Sequence, residues 1–171
     1  NSGCANACTG AQGTRNARRM AAIVARELGI PEKSVLVCST GTIGLQLPMD
    51  RVEAGIPKVV AALNPFGGDA AAKAIMTTDT VDKQECVELT IDGVQVRVGG
   101  MCKGAGMISP NMATMLGFLT TDAAVTPSAL RACLRPAVNR SFNCVTVDGD
   151  QSTNDTVLFL ANGAAGNRPL N

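Results

Sequence analysis

Residues 103–116 read Lys-Gly-Ala-Gly-Met-Ile-Ser-Pro-Asn-Met-Ala-Thr-Met-Leu, and the rest of the chain narrows what chemistry they could do. No histidine occurs in the 171 residues, so a Ser/His/Asp triad, a Cys/His pair and a histidine-ligated metal are excluded within the chain. A hydroxyl nucleophile then needs another base. A cut just before a threonine would supply one, because the new α-amine titrates near ~8 and can take the proton from that threonine's own hydroxyl. Ala113-Thr114 lies among small, permissive residues and two apolar methionines, a setting suited to a buried cleavage point. The competing interpretation is a Gly-rich turn followed by a buried strand, with Thr114 an ordinary β-branched strand residue.

Composition narrows the field further. A hydrophobic share of 46% with 17% charged residues describes a globular chain long enough for one domain with a sizeable core. Net charge is +1, and four Phe with neither Trp nor Tyr leave no stacking surface for nucleic acid. No apolar stretch approaches the ~20 residues of a membrane span, and no signal peptide is recognisable. Seven cysteines, an odd number without a Cys-x-x-Cys pair, read as buried reduced thiols of a cytoplasmic protein. Asp148-Gly-Asp150 and Asn154-Asp155 lack the ligand order of a calcium loop and read as a tight turn and helix cap shaping the active-site wall; no metal is expected.

Several elements must position these residues. Residues 11–28 predict an amphipathic helix whose apolar face is Ala17, Met20, Ala21, Val24 and Leu28, capped by Thr9 and stopped by Gly29. Residues 34–39 predict a buried strand that delivers Thr40-Gly41 to a loop. A helix over 50–63 should break at Pro57, and Asp69 should cap another over 70–76. Residues 85–91 and 94–98 flank Asp92-Gly93, a hairpin signal. Met115–Thr120 predicts a strand, Thr126-Pro127 opens a helix through Leu134, 144–147 a strand and 153–161 a helix. Loosely alternating helices and strands with a hairpin indicate a layered α/β or α+β fold.

Residues 103–116 resemble the self-cleavage segment of the ornithine acetyltransferase (glutamate N-acetyltransferase, bifunctional ArgJ-type) family. Four further segments match in the family's order: Asn1 to Gly10, Ser39-Thr-Gly-Thr-Ile-Gly44, Ile75-Met-Thr-Thr-Asp-Thr80, and Val147 to Thr156. The resemblance implies a helix–sheet–sheet–helix sandwich like that of N-terminal-nucleophile hydrolases. It implies a single incomplete domain over 1–171, an internal fragment in which 1–113 belongs to the α chain and 114–171 begins the β chain. Ala113-Thr114 would be the cleavage site and Thr114 the nucleophile. Thr40 and Gly41 would form the oxyanion hole, and Thr77, Lys103 and Thr114 would contact substrate. An acidic residue and polar residues that complete the family's site would lie beyond Asn171, so the fragment alone is expected to be inactive.

The resulting expectation is a cytoplasmic acyltransferase of arginine biosynthesis. It would move acetyl from N2-acetyl-L-ornithine to L-glutamate through an acetyl-threonine, without a cofactor. Acetyl-CoA as a second donor stays open. The partners would be these small molecules and the protein's own α and β chains in a heterotetramer, with neither nucleic acid nor membrane. Two alternatives stand beside it: an N-terminal-nucleophile amidohydrolase or aminopeptidase, and a non-catalytic structural piece.

Overall fold

In the computed structural model, residues 1–109 and 115–171 are described, and the chain forms two compact units, Asn1–Ala71 and Ala72–Asn171. Both mix helix and strand, as an α/β fold requires.

The first unit carries strand β1 (Ser2–Cys4), helix α1 (Gly10–Leu28), strand β2 (Thr40–Thr42) and helix α2 (Met49–Ala61). Helix α3 (Gly68–Ala74) runs from the last residues of this unit into the first of the next. β1 and β2 pair in parallel, Ser2 opposite Thr40 and Gly3 opposite Gly41. Both glycines have positive φ, 106° and 127°, and a Cβ on Gly41 would fall 2.3 Å from the Gly3 carbonyl carbon. Only glycine permits that approach. α1 and α2 pack together, tied by a fork from Arg19 to Glu53 at 3.0 and 3.2 Å.

The second unit is built on a four-stranded sheet ordered β3 (Lys83–Ile91), β4 (Val94–Lys103), β5 (Leu116–Thr121) and β6 (Thr156–Ala161). β3–β4–β5 are antiparallel, and β5 pairs β6 in parallel. Parallel neighbours need a crossover, and α4 (Pro127–Asn139) lies in it. The β3–β4 hairpin turns at Asp92 (φ 49°) and Gly93 (φ 80°), the left-handed pair a two-residue turn demands. Val96, Leu116, Met115 and Ala123 form the buried apolar set around the sheet. Asn167 fastens the chain's last residues: its amide accepts from Ala124 N–H at 2.8 Å and donates to Ala124 C=O at 3.2 Å.

Several expectations are corrected. Residues 34–39 form no strand; a 3₁₀ turn at Glu32–Ser34 precedes an irregular stretch, and β1 lies alongside Thr40–Thr42 only. Residues 153–161 give a strand, because Thr156–Ala161 is an apolar, partly β-branched run that completes its amides on β5. Residues 144–147 hold a 3₁₀ turn at Phe142–Cys144, with Val147 N–H donating to Ile108 C=O at 2.8 Å. α2 passes through Pro57 unbroken, losing only the amide that would have met Glu53 C=O. Thr9 is no side-chain cap: its hydroxyl donates to Asn6, beside Gly13, where a Cβ would clash. Asp69 sits inside the first turn of α3 and not before it, where its charge suits the helix dipole. The buried face of α1 is Gly13, Asn16, Ala21, Ile23 and Ala25, since Asn16 is satisfied by Gln12 at 2.7 Å and can go inside. None of the seven thiols is buried; Cys8, Cys86, Cys133 and Cys144 are exposed and the others intermediate.

Gly41→Ala is expected to pry β2 from β1. The check is amide hydrogen exchange: Thr40 and Ala5, whose N–H groups close this pairing on Asn1 and Thr42 at 3.0 Å, should lose protection while the β4–β5 amides keep theirs.

Candidate active site

The predicted oxyanion residues, Thr40 and Gly41, are consecutive in β2. Thr40 N–H donates to Asn1 C=O, and Thr42 C=O accepts from Ala5, so these two residues face β1. Alternation turns the Gly41 N–H, between them, away from β1. Thr40 is 0% exposed, and its hydroxyl is buried without a hydrogen-bond partner among the described residues. A buried, unsatisfied hydroxyl costs roughly 1–3 kcal/mol. A donor kept in that state is ready for charge that appears later.

In the second unit the predicted substrate residues Thr77 and Lys103, 26 positions apart, meet directly: Lys103 Nζ donates to Thr77 Oγ1 at 3.0 Å. Lys103 ends β4 at 3% exposure, and the threonine oxygen is its one acceptor among the described residues. Burial pulls the ammonium below its ordinary pKa; Asp79 opposes that and Lys83 adds to it.

Asp79 is the residue that sequence reasoning missed. Its side chain is 1% exposed and accepts three donors: Lys83 Nζ at 2.6 Å, Gly104 N–H at 2.8 Å and Thr77 N–H at 3.3 Å. Burial would push this carboxyl up, but the Lys83 hydrogen bond and the two backbone donors hold it below the ordinary carboxylate value. The signal was present in Thr77-Thr-Asp-Thr80 followed by Lys83, an i,i+4 acid–base pair, yet nothing local marked it as buried.

The segment from β4 to the expected cleavage site is held by two more carboxylates. Asp148 accepts Met107 N–H at 2.6 Å and Ile108 N–H at 2.8 Å, and these bonds hold its pKa down. Met107 has φ 57°, a left-handed turn those bonds secure. Asp155 accepts Met115 N–H at 2.7 Å through one oxygen; the other is buried without a partner among the described residues, and burial raises this carboxyl's pKa. Asp148 and Asp155 therefore anchor backbone on both flanks of 110–114, and no helix cap is involved. Ala113 and Thr114 themselves lie outside the described residues.

Elsewhere in this unit an open groove of about 420 Å³ crosses β3, β4 and β5, floored by Val87, Val98, Met101 and Leu119. Its lining contains Cys102, whose thiol burial raises and so disarms. The groove offers apolar surface without a poised nucleophile. Among the described residues no three His, Cys, Asp or Glu side chains converge as a metal site would need, and no helix is long and apolar enough to cross a membrane.

Asp148→Ala should speed hydrogen exchange at Met107 and Ile108 at neutral pH. A carboxyl whose folded pKa is depressed stabilises above its unfolded pKa and loses that contribution as pH falls through the folded one. In the unsubstituted protein, protection of these two amides should therefore survive acidification past the ordinary carboxylate range and then collapse.

Comparison with known proteins agrees on one family. The ArgJ family matches residues 1–170. The chain is 63% identical over 167 residues to the arginine biosynthesis bifunctional protein ArgJ of Symbiobacterium thermophilum, covering 98% of this chain and 42% of that protein. It is 56% identical over 174 residues to that of Thermotoga neapolitana, covering 99% and 43%. The crystal structure of the Bacillus halodurans protein of the same name superimposes with a TM-score of 0.60 at 49% identity, over 66% of this chain and 59% of that one. The chain thus spans about two fifths of the length of these curated relatives. Matched over residues 1–170 and superimposable on that structure over 66% of its length, the chain belongs to the ArgJ family.

Proposed function

We propose that the protein carrying this chain is a cytoplasmic glutamate N-acetyltransferase that cuts itself between Ala113 and Thr114 and then works through Thr114. The observation that carries the proposal is the buried Thr40 hydroxyl, without a partner among the described residues, beside an outward-turned Gly41 N–H, in a chain whose family is known. These are the two donors an acyl-transfer oxyanion needs.

The chemistry proceeds in two stages. The Thr114 hydroxyl attacks the Ala113 carbonyl, the peptide C–N bond breaks, and the acyl group passes from nitrogen to oxygen. Water hydrolyses the ester, leaving Ala113 as a carboxylate and Thr114 with a free amine. That amine takes the hydroxyl proton as Thr114 attacks the acetyl carbonyl of N2-acetyl-L-ornithine, and Thr40 and Gly41 hold the oxyanion. The C–N bond breaks, ornithine leaves with the proton, and an acetyl-threonine remains. The amine of L-glutamate then attacks the ester, taking the acetyl group and restoring the hydroxyl. Lys103, with Thr77 beside it, pairs the substrate's α-carboxylate, an attraction strengthened by burial. The helix–sheet–sheet–helix sandwich and a heterotetramer of α and β chains, divided after residue 113, complete the proposal. The mixed α/β units described above are compatible with it.

Intact mass spectrometry of the purified full-length protein should show two chains meeting at Ala113-Thr114. Thr114→Ala should leave one uncut chain without transferase activity; active protein of homogeneous uncut mass would end the proposal. An acetyl-CoA arm in the same assay decides the second donor.

Thr40→Val, nearly isosteric, should lower kcat for acetyl transfer by ~100-fold or more with little change in KM. A loss confined to KM would reassign Thr40 to ground-state binding. The 171-residue chain alone should transfer no acetyl, because it spans only about two fifths of the length of its curated relatives; rates equal to the full protein's would refute this.

A further inference from the structure

We infer that Asp79 is a positioning residue that sets both the place and the available charge of Lys103, so that the pocket formed with Thr77 selects a carboxylate. The inference rests on the assignment of Lys103 to the substrate's carboxylate. Three observations carry it. The first is placement: Asp79 accepts Thr77 N–H and Gly104 N–H, the backbone of one predicted substrate residue and of the neighbour of the other. One carboxylate thereby ties its own loop to the residue after Lys103, and the 3.0 Å contact between Thr77 Oγ1 and Lys103 Nζ follows from it.

The second is how the charge is divided. Two lysines and one aspartate make a cluster of net charge +1. The Asp79 oxygens are occupied by Lys83 Nζ and two amides, and Lys103 forms no ion pair with it within 4 Å among the described residues. The surplus charge therefore rests on Lys103, the more deeply buried of the two lysines; the Lys83 side chain is 39% exposed. A buried ammonium with one hydroxyl acceptor lacks an anion. A carboxylate fits; a neutral amide leaves the charge uncompensated.

The third is the surroundings. Leu116 stands opposite Lys103 in β5 and is fully buried, and on that side Asp155 accepts from the amide of the neighbouring Met115. Among the described residues, the charged groups that act on Lys103 are Asp79 from the loop before β3 and Lys83 from β3. Asp79 raises the lysine's pKa and Lys83 lowers it, so removing each should act with opposite sign. An ordinary surface i,i+4 pair would do neither, and a 1% exposed aspartate is not a surface group.

The test uses the full-length protein and N-acetylnorvaline, which keeps the α-carboxylate of N-acetylornithine but has no side-chain amine to titrate. Its inhibition constant is measured against N-acetylornithine from neutral to alkaline pH in wild type, Asp79→Asn, Lys83→Met and Lys103→Met, each checked for self-cleavage by mass. In Asp79→Asn the inhibition constant should rise about tenfold or more, and the pH at which binding fails should move down. In Lys83→Met that pH should move up. Lys103→Met should bind weakly at every pH. If Lys103→Met binds weakly while the other two leave the profile unmoved, or shift it in the same direction, Asp79 is structural and the inference is overturned. If Lys103→Met binds like wild type, the Lys103 assignment itself fails and the inference falls with it. Should Asp79→Asn not fold, the upward shift in Lys83→Met decides alone, since that side chain is partly in solvent.

Discussion

The described residues between β4 and β5 have amides that no strand satisfies, and carboxylates stand in for the missing strand. Asp79 takes Gly104, Asp148 takes Met107 and Ile108, and Asp155 takes Met115. A buried or turned N–H left alone would cost about as much as a lost hydrogen bond. A loop of glycines would otherwise sample many conformations. Charge-assisted acceptors are short and strong, so three side chains accomplish what a ladder of weaker bonds would. The hydrogen bonds of Val147 and Thr156 to Ile108 and Met115 carbonyls close the same segment from its other polarity.

Local signals were legible where the chemistry was local. Asp92-Gly93 can hardly be anything but a tight hairpin, Gly29 ends α1 in the left-handed region, and Thr126-Pro127 opens α4, the threonine accepting from Ala129 at 3.4 Å. The failures share one cause, partners distant in sequence. Residues 34–39 look like a strand, yet they stay irregular, and β1 pairs only Thr40–Thr42. Thr156 to Ala161 fits a helix or a strand by pattern, and only parallel pairing with β5 decides.

The candidate site shows the same division. The motifs that mark Thr40, Gly41, Thr77 and Lys103 are local, and their positions could be named without coordinates. That Lys103 and Thr77 touch, and that Asp79 orders both, depends on a loop before β3 folding against the end of β4. An aspartate between threonines looks solvated in sequence; its burial is a tertiary fact.

Gly41 joins two demands in one residue. Its missing Cβ lets β2 approach Gly3, and its N–H points away from that pairing as a candidate oxyanion donor. Side-chain mutagenesis cannot separate these, because every replacement adds the carbon that collides with Gly3 before the donor is touched. Semisynthesis can. Exchanging the amide nitrogen of Gly41 for an ester oxygen deletes the donor while leaving the close backbone contact without a new atom. Backbone chemistry, more than the genetic code, is the tool that could tell assembly from catalysis at this position.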